Sequence, residues 1–254
     1  MKKFTVAVLS LFVFQSVLFS QEVGKKGTFY FGLGTHRSFY TKSDIRFISK
    51  EKPGFDFTLQ KVRARDDQGF KLSGDGAAQY SYVIGYYFKK KNFGIEFNFD
   101  HLKYFVRQGQ QVRVTGQIDD VTLDKDTTLV PSFVQLEHSD GANYAMLNFV
   151  KLRPLSGNER RGWELLLKAG AGVVVPKTNS TIMGVKYDDA YAVSGYVVGA
   201  EGGLRYHFLK NIFALASYKG AYANYNNFRI AGGHGEQQWW SGQFNVLVGA
   251  QFPL

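Results

Sequence analysis

Serine, histidine and acidic side chains cluster at three places in this sequence of 254 residues. A serine, an imidazole and a carboxylate are the parts of a hydrolytic nucleophile system. His36 and Ser38, two residues apart, are therefore the candidate catalytic base and nucleophile. The other two groups are candidate binding residues: Asp100, His101 and Lys103 in one, and Glu137, His138 and Asp140 in the other.

The same residues also have simpler interpretations. Isolated His-x-Ser pairs occur by chance, and polar residues at strand ends commonly meet water. Metal binding by His36, His101 and His138 is an alternative, but these histidines show no local ligand spacing. We therefore predict no metal site, and we expect no cofactor.

The pattern of residues from Tyr80 to Phe99 predicts the kind of secondary structure on which the candidate site residues lie. Aromatic and branched residues alternate with small or charged ones, which indicates two β-strands. Lys89 to Asn92 form a tight turn, so the two strands make an antiparallel hairpin. A face that is wholly aromatic or branched, opposite a small or charged face, is typical of a strand that faces lipid in an outer-membrane barrel.

Similar alternation elsewhere brings the number of predicted strands to eight. They span residues 27–40, 80–88, 93–99, 143–152, 163–175, 191–208, 212–225 and 239–252. In the fourth strand, the preferred facing turns Ala145, Leu147 and Phe149 outward.

The connections between these strands are of two alternating kinds. The tight turns lie near residues 89–92, 154–161 and 209–211. The long connections, interpreted as irregular loops, lie near 41–78, 108–140, 177–190 and 226–238. The first of them has room for a hairpin through Phe55, Phe57 and Leu59. The sequence thus predicts an all-β fold, an antiparallel eight-stranded transmembrane β-barrel with long extracellular loops.

The amino terminus and the net charge indicate the compartment. Two lysines and an apolar run from Phe4 to Phe19 predict a signal peptide over residues 1–20. Residues 21–254 then form one barrel domain. The net charge of +10 suggests anionic neighbours, and secretion favours lipopolysaccharide over nucleic acid. The sequence has no cysteine, so no disulfide stabilises the fold.

Two features concern the predicted interior. Charged residues fall on the inward faces of several strands: Glu96, Lys168, Glu201, Arg205 and Lys219. Because buried charges must be paired, we predict a lumen charge network that fills a plugged barrel. Beyond Phe99, regular alternation would turn His101 and Lys103 toward lipid, so we also predict a β-bulge at Asp100 and His101.

The last strand, GQFNVLVGAQFPL, keeps apolar residues in phase almost to the carboxyl end. It resembles the terminal signal by which the bacterial assembly machinery recognises outer-membrane barrels. The chain from about residue 27 onward resembles the small eight-stranded outer-membrane barrels. That resemblance implies a Gram-negative source, an outer-membrane location, and outer-membrane lipid, lipopolysaccharide and the assembly machinery as partners. We expect a monomer that binds no nucleic acid.

Three functions are open at this point. The first is a non-enzymatic structural or surface-binding role through the long loops. The second is a lipid A acyl hydrolase, because the spacing of His36 and Ser38 is similar to that of a histidine and a serine in lipid A deacylase barrels. The third is a narrow conduit for a small hydrophobic compound.

Overall fold

The structure is a computed structural model that describes residues 27–66, 79–88, 92–157 and 161–254. The predicted signal peptide and most of the predicted turn at 89–92 lie outside the described residues. No helix in these ranges is long and apolar enough to cross a bilayer. The strands are β1 Gly27–Tyr40, β2 Ser43–Ser49, β3 Phe55–Val62, β4 Ala64–Arg65, β5 Tyr80–Phe88, β6 Phe93–His101, β7 Tyr104–Val106, β8 Gln111–Ile118, β9 Val121–Thr128, β10 Val134–His138, β11 Ala142–Gly157, β12 Gly162–Pro176, β13 Asn179–Ile182, β14 Val185–Asp188, β15 Gly195–Leu209, β16 Ile212–Ile230 and β17 Gly233–Pro253.

Eight of these strands form an antiparallel barrel. Their order is β1-β5-β6-β11-β12-β15-β16-β17. The ring closes because β17 also pairs with β1, from Thr28↔Pro253 to Tyr40↔Ser241. Closure leaves no open edge in this ring, so every strand hydrogen-bonds to two neighbours. The predicted fold class and strand number are confirmed.

The barrel is apolar outside, and the middle of its interior is charged. Leu147 and Phe149 on β11 are each 63% exposed, which confirms the predicted facing of that strand. The inward residues of the same strands include charged side chains that are almost fully covered, such as Glu96 at 2% and Lys168 at 6% exposure. Charged side chains are therefore buried in the interior while apolar side chains are exposed on the outer surface.

The long connections contain regular strands, so the prediction of irregular loops is wrong. Strands β2 and β3 lie within 41–78, β8, β9 and β10 lie within 108–140, and β13 and β14 lie within 177–190. Residues 226–238 continue the hairpin of β16 and β17 well beyond the barrel. Only the hairpin through Phe55, Phe57 and Leu59 is confirmed, as the β2–β3 pair.

These strands build a second folded part, which we call the β-extension. Strand β17 pairs with β2 through Gly233↔Ser49, and β3, β8 and β9 follow in the same sheet. A separate sheet has the order β14-β13-β10-β7-β4. An apolar core joins the two sheets. In this core the ring of Phe57 on β3 stacks on the ring of Phe133, which directly precedes β10 of the other sheet. The apolar side chains on the inner faces of the short strands pack together in this core.

The predicted bulge at Asp100 and His101 is wrong. The register of β6 runs without a shift through Tyr144↔Asp100 on one side and Tyr80↔His101 on the other. Leu102 and Tyr104 are fully buried in the core of the β-extension. No bulge is needed, because the side chains of His101 and Lys103 are buried and Leu102 and Tyr104 lie in an interior that is apolar at this height.

Candidate functional site in the barrel interior

Two buried lysines organise the charged interior. Lys168 on β12 lies 2.9 Å from Oε1 of Glu96 and 3.4 Å from Oε1 of Glu201. Lys219 on β16 lies 2.6 Å from Oδ2 of Asp100 and 3.6 Å from Oε2 of Glu201. Because each carboxylate faces at least one ammonium group, the desolvation cost of burying these charges is offset by pairing.

Neutral hydroxyl groups complete this network. Tyr30 donates to Oε2 of Glu96 at 2.8 Å, and Ser217 donates to Oε1 of Glu201 at 2.6 Å. The amide of Asn98 accepts a further hydrogen bond from Lys219. We call the connected set of Glu96, Lys168, Glu201, Lys219 and Asp100 the lumen network.

Arg205 lies in a separate cluster near the turn end of the barrel. Its guanidinium group is 2.5 Å from Oε2 of Glu164, and the same oxygen lies 2.9 Å from Nε2 of His207. The guanidinium group also lies over the ring of Phe213, 4.8 Å from its centroid. Sequence reasoning did not name Glu164 or His207 as site residues, although both fall on the inward face of their strands.

His36 and Ser38 share the inward face of β1, and both are buried. His36 does not bond to Ser38; its Nδ1 lies 3.1 Å from Oγ of Ser81, whose hydroxyl donates to Oδ1 of Asp100 at 2.7 Å. The backbone N–H of Ser38 donates to Asp66 at 2.9 Å. In a nucleophile triad the imidazole lies between serine and carboxylate. Here a different serine, Ser81, lies between the imidazole of His36 and the carboxylate of Asp100, and its hydroxyl group donates its proton to Asp100.

The role of Ser81 was missed by the sequence analysis. The sequence did contain a signal for Ser81, because it falls on the inward face of the predicted hairpin that begins at Tyr80. In the structure, Ser81 pairs with Asp100 across β5 and β6. The arrangement extends the lumen network from Asp100 to His36. It gives Asp100 three kinds of partner: an ammonium group, a hydroxyl group and the amide of Asn98 at 3.0 Å.

The three histidines of the sequence groups have three different environments. His36 lies in the lumen. His101 stacks on Tyr80 with ring centroids 4.6 Å apart, and its Nδ1 lies 2.9 Å from Oδ1 of Asn143. His138 lies in the core of the β-extension. Within the described ranges, no group of three or more potential ligands is close enough to hold a metal ion.

His138 is enclosed by aromatic side chains. It stacks on Tyr225 with ring centroids 5.5 Å apart and meets Phe228 edge-on at 5.4 Å. Its Nδ1 lies 3.0 Å from Oγ1 of Thr178. Burial lowers the pKa of His138 to about 3, because the charged imidazolium would lose its hydration. The ring is therefore neutral at physiological pH.

The remaining predicted binding residues are dispersed in the β-extension or near it. Glu137 accepts a hydrogen bond from Ser139 at 3.1 Å, and Asp140 pairs with Lys177 at 2.6 Å. The hydrogen bond to Asp140 raises the pKa of Lys177. The backbone oxygen of Lys103, whose side chain is buried, accepts a hydrogen bond from Tyr40. These groups do not converge with His36 and Ser38 on one site.

Apolar layers lie beyond the lumen network in both directions. Toward the tight turns, the interior is filled by a cluster of nine residues: Tyr30, Val83, Tyr87, Val150, Leu152, Leu166, Phe213, Leu215 and Leu247. In the other direction, Trp239, Tyr144 and Tyr225 belong to the core of the β-extension. Trp239 donates to the hydroxyl of Tyr144 at 2.9 Å, so its indole nitrogen is paired within that core.

An antiparallel ring of eight strands with an apolar outside and a polar interior is the architecture of the small bacterial outer-membrane β-barrels. No protein-family model matches the sequence, and no curated protein matches it.

Several solved barrels are similar to this chain in structure. Neisserial surface protein A has 11% identity and a TM-score of 0.40, over 89% of this chain and 99% of its own. OprG from Pseudomonas aeruginosa has 13% identity and a TM-score of 0.39, over 91% and 99%. The attachment invasion locus protein Ail of Yersinia pestis, in complex with the heparin analogue sucrose octasulfate, has 12% identity and a TM-score of 0.36, over 90% and 100%.

Proposed function

We propose that this chain is an integral outer-membrane protein of a Gram-negative bacterium whose plugged barrel anchors the β-extension at the cell surface. Its role is to bind partners there, without catalysis or conduction. The observation that carries the proposal is the combination of a lipid-compatible exterior with an interior filled by the lumen network and apolar layers.

The height of the apolar exterior supports insertion in a bilayer. Trp240 and Phe252 lie on the outward face of β17, twelve residues apart. At roughly 3.3 Å per residue and a tilt of about 40°, they are separated by ~30 Å along the barrel axis. This matches the thickness of the hydrocarbon core, about 30 Å. Aromatic pairs flank both ends: Tyr222 with Trp240, and Trp163 with Tyr206.

Two features favour binding over the alternatives. The buried ion pairs and the apolar layers occupy the interior that a conduit would need. A hydrolase would need a serine activated by an imidazole, whereas Ser38 is buried and not bonded to His36. The β-extension, by contrast, is a folded structure with an apolar core.

Insertion and sidedness can be tested with the natural lack of cysteine in the chain. Val121, 63% exposed on β9 of the β-extension, and Lys210 in the turn after β15 are suitable positions for single cysteines. We expect a membrane-impermeant maleimide to label V121C on intact cells and K210C only after lysis. Reversed labelling would contradict the proposed topology. A band that migrates identically before and after boiling would contradict the folded barrel.

A further inference from the structure

A pocket lies where the barrel wall meets the β-extension. Strand β1 ends at Tyr40, and β2 then takes its place beside β17, starting at Ile45↔Gln237. At this junction a pocket of about 560 Å³ is lined by residues of β2, β3, β16 and β17 and by Lys42 just before β2. We call it the junction pocket. Its volume lies within the range of ligand-binding pockets, about 300–1,000 Å³.

The lining of the junction pocket is wholly polar. All eleven residues that line it are polar or charged, whereas a pocket for a drug-like molecule is lined mainly by apolar and aromatic side chains. Thr58, Asn224 and Asn226 contribute a hydroxyl group and two amide groups that have no side-chain partner among the described contacts. Because hydroxyl and amide groups both donate and accept hydrogen bonds, this lining suits a ligand that is covered with hydroxyl groups, such as a saccharide.

The charges of the lining favour a saccharide with acidic substituents. The charged members are three basic and two acidic residues: Lys42, Arg46, Lys61, Asp44 and Glu236. The guanidinium group of Arg46 is paired with Asp56 at 2.7 Å and lies 3.4 Å from Glu236. Lys42 and Lys61 are exposed, and neither has an ion-pair partner within the described ranges. Their ammonium groups can therefore pair with a carboxylate or a phosphate of a ligand.

A β-bulge positions Lys61 at this pocket. The register of β2 and β3 shifts between Ser43 and Ile45, so that Asp44 lies opposite one extra residue of β3. Lys61 has a φ of 54°, in the left-handed region that residues other than glycine rarely adopt. Its backbone N–H donates to Oδ1 of Asp44 at 2.7 Å, which stabilises this conformation. Bulges of this kind redirect a side chain and are common next to functional sites.

The junction pocket lies directly above the apolar exterior of the barrel. Thr41, immediately before Lys42, donates its N–H to the backbone oxygen of Trp240 at 2.9 Å, and its hydroxyl accepts from the N–H of Trp240 at 3.0 Å. Trp240 is the upper of the two outward residues that are separated by ~30 Å along the barrel axis. Tyr222, whose ring lies 5.3 Å from that of Trp240, donates its hydroxyl to Gln238 in the pocket lining. The pocket is thus at the level of the glycolipid sugars if the barrel is inserted as proposed.

We propose that the junction pocket binds the acidic core sugars of an outer-leaflet glycolipid. The proposal rests on the proposed outer-membrane function and adds a definite binding site to it. Lys42 and Lys61 hold carboxylate or phosphate substituents of the sugars, and Thr58, Asn224 and Asn226 hydrogen-bond to the sugar hydroxyl groups. A free polysaccharide of the same chemistry would fit the pocket but would lack the lipid anchor that keeps the sugars at this height.

The test uses the full-length chain refolded in detergent, so that no glycolipid from an expression host is bound. Native mass spectrometry would measure binding of four probes: a lipopolysaccharide that ends with its acidic core sugars, lipid A without these sugars, the core oligosaccharide released from the same lipopolysaccharide, and an uncharged oligosaccharide of equal length. We expect the lipopolysaccharide to bind most tightly and lipid A to bind at least fivefold more weakly. The core oligosaccharide should bind at least fivefold more tightly than the uncharged one.

Two variants test the pocket by different means. K42Q combined with K61Q removes two exposed ammonium groups, so it should fold and bind the lipopolysaccharide at least tenfold more weakly. N224Y fills the pocket without changing the net charge and should weaken binding at least fivefold. The matched control combines K125Q and K186Q, two exposed lysines that do not line the pocket. It removes the same charge and should stay within twofold of the wild type.

Four results would overturn the proposal: wild-type affinity of a folded pocket variant, equal binding of lipid A and the lipopolysaccharide, equal binding of the acidic and the uncharged oligosaccharide, or a released core that binds as tightly as the intact glycolipid. Cysteine labelling on intact cells separates this failure from failure of the proposed function. A chain that is not labelled at V121C contradicts the outer-membrane function itself. Outward labelling without a preference for acidic sugars contradicts only the saccharide site.

Discussion

The ammonium group of Lys219 lies 2.6 Å from Oδ2 of Asp100, and this bond crosses the barrel. Lys219 is on β16 and Asp100 is on β6, and the strand order puts three strands between β6 and β16 in either direction around the ring. The two residues are therefore on opposite walls. Both side chains are almost completely buried, so the bond ties the two walls together in a medium where an unpaired charge is costly.

Lys219→Met should destabilise the protein strongly. The substitution leaves Asp100 charged and buried without its ammonium partner, a loss of about 3–5 kcal/mol in the free energy of unfolding. Urea unfolding in lipid vesicles, followed by tryptophan fluorescence, would measure it. Adding D100N should recover part of the loss, and K42M at an exposed lysine should change stability by less than about 0.5 kcal/mol. Equal stability of K219M and wild type would refute the cross-barrel role.

Gly85→Ala should destabilise the turn end of the barrel. A Cβ atom at Gly85 would lie 2.3 Å from Cζ of Tyr30, whose ring stacks on Tyr87 at 4.4 Å and whose hydroxyl bonds to Glu96. Displacing that ring should cost about 1–3 kcal/mol in the same unfolding measurement. Gly220 is the matched control, because no atom lies within 4 Å of a Cβ built there. If G85A and G220A lose the same stability, the packing interpretation fails.

The β-extension should loosen in mild acid because of His138. Its pKa is lowered from 6.5 in the unfolded chain to about 3 in the folded protein. Below pH 6.5 the unfolded state therefore takes up a proton that the folded state does not, and stability falls as the pH falls toward 3. The loss is ~1.4 kcal/mol per pH unit, or about 2 kcal/mol between pH 6.5 and 5.

Hydrogen exchange of the β-extension at several pH values would detect this loss. His138→Phe removes the titrating group from the aromatic cluster, so its protection should depend less on pH than that of the wild type. His234→Gln, at a half-buried histidine of the β16–β17 hairpin, serves as the control and should keep the wild-type slope. If H138F leaves the pH dependence of protection unchanged, groups other than His138 cause the acid sensitivity.

Ser38→Ala should leave lipid A unaltered. Ser38 has no imidazole partner, and the only serine bonded to His36 among the described contacts has its proton held by Asp100. Mass spectrometry of lipid A from cells with the wild-type protein, with S38A and without the protein should give the same number of acyl chains. A missing acyl chain that depends on the wild-type protein and disappears with S38A would restore the hydrolase hypothesis.

The sequence by itself determined the barrel wall. The alternation of Tyr82, Ile84 and Tyr86 with small residues is a local property with a period of two, and it decides which face of a strand meets lipid. The same pattern predicted that Glu96, Lys168 and Glu201 point inward, because neighbouring residues on a strand must face opposite sides. Strand number and facing followed without knowledge of the pairing.

Only the tertiary structure decided what meets inside and above the wall. Closure of the ring puts β16 opposite β6, so that Lys219 can reach Asp100 across the interior. It also puts His36 next to Ser81, to which it bonds instead of to Ser38. The β-extension depends on pairing between segments far apart in sequence, such as Gly233↔Ser49. The short strands of the β-extension have apolar residues on the inner face and charged residues on the outer face. A search for strands with an apolar outer face therefore interprets them as loops. Long-range pairing and shared cores are not encoded in any local period, and they alone decide where such strands fold.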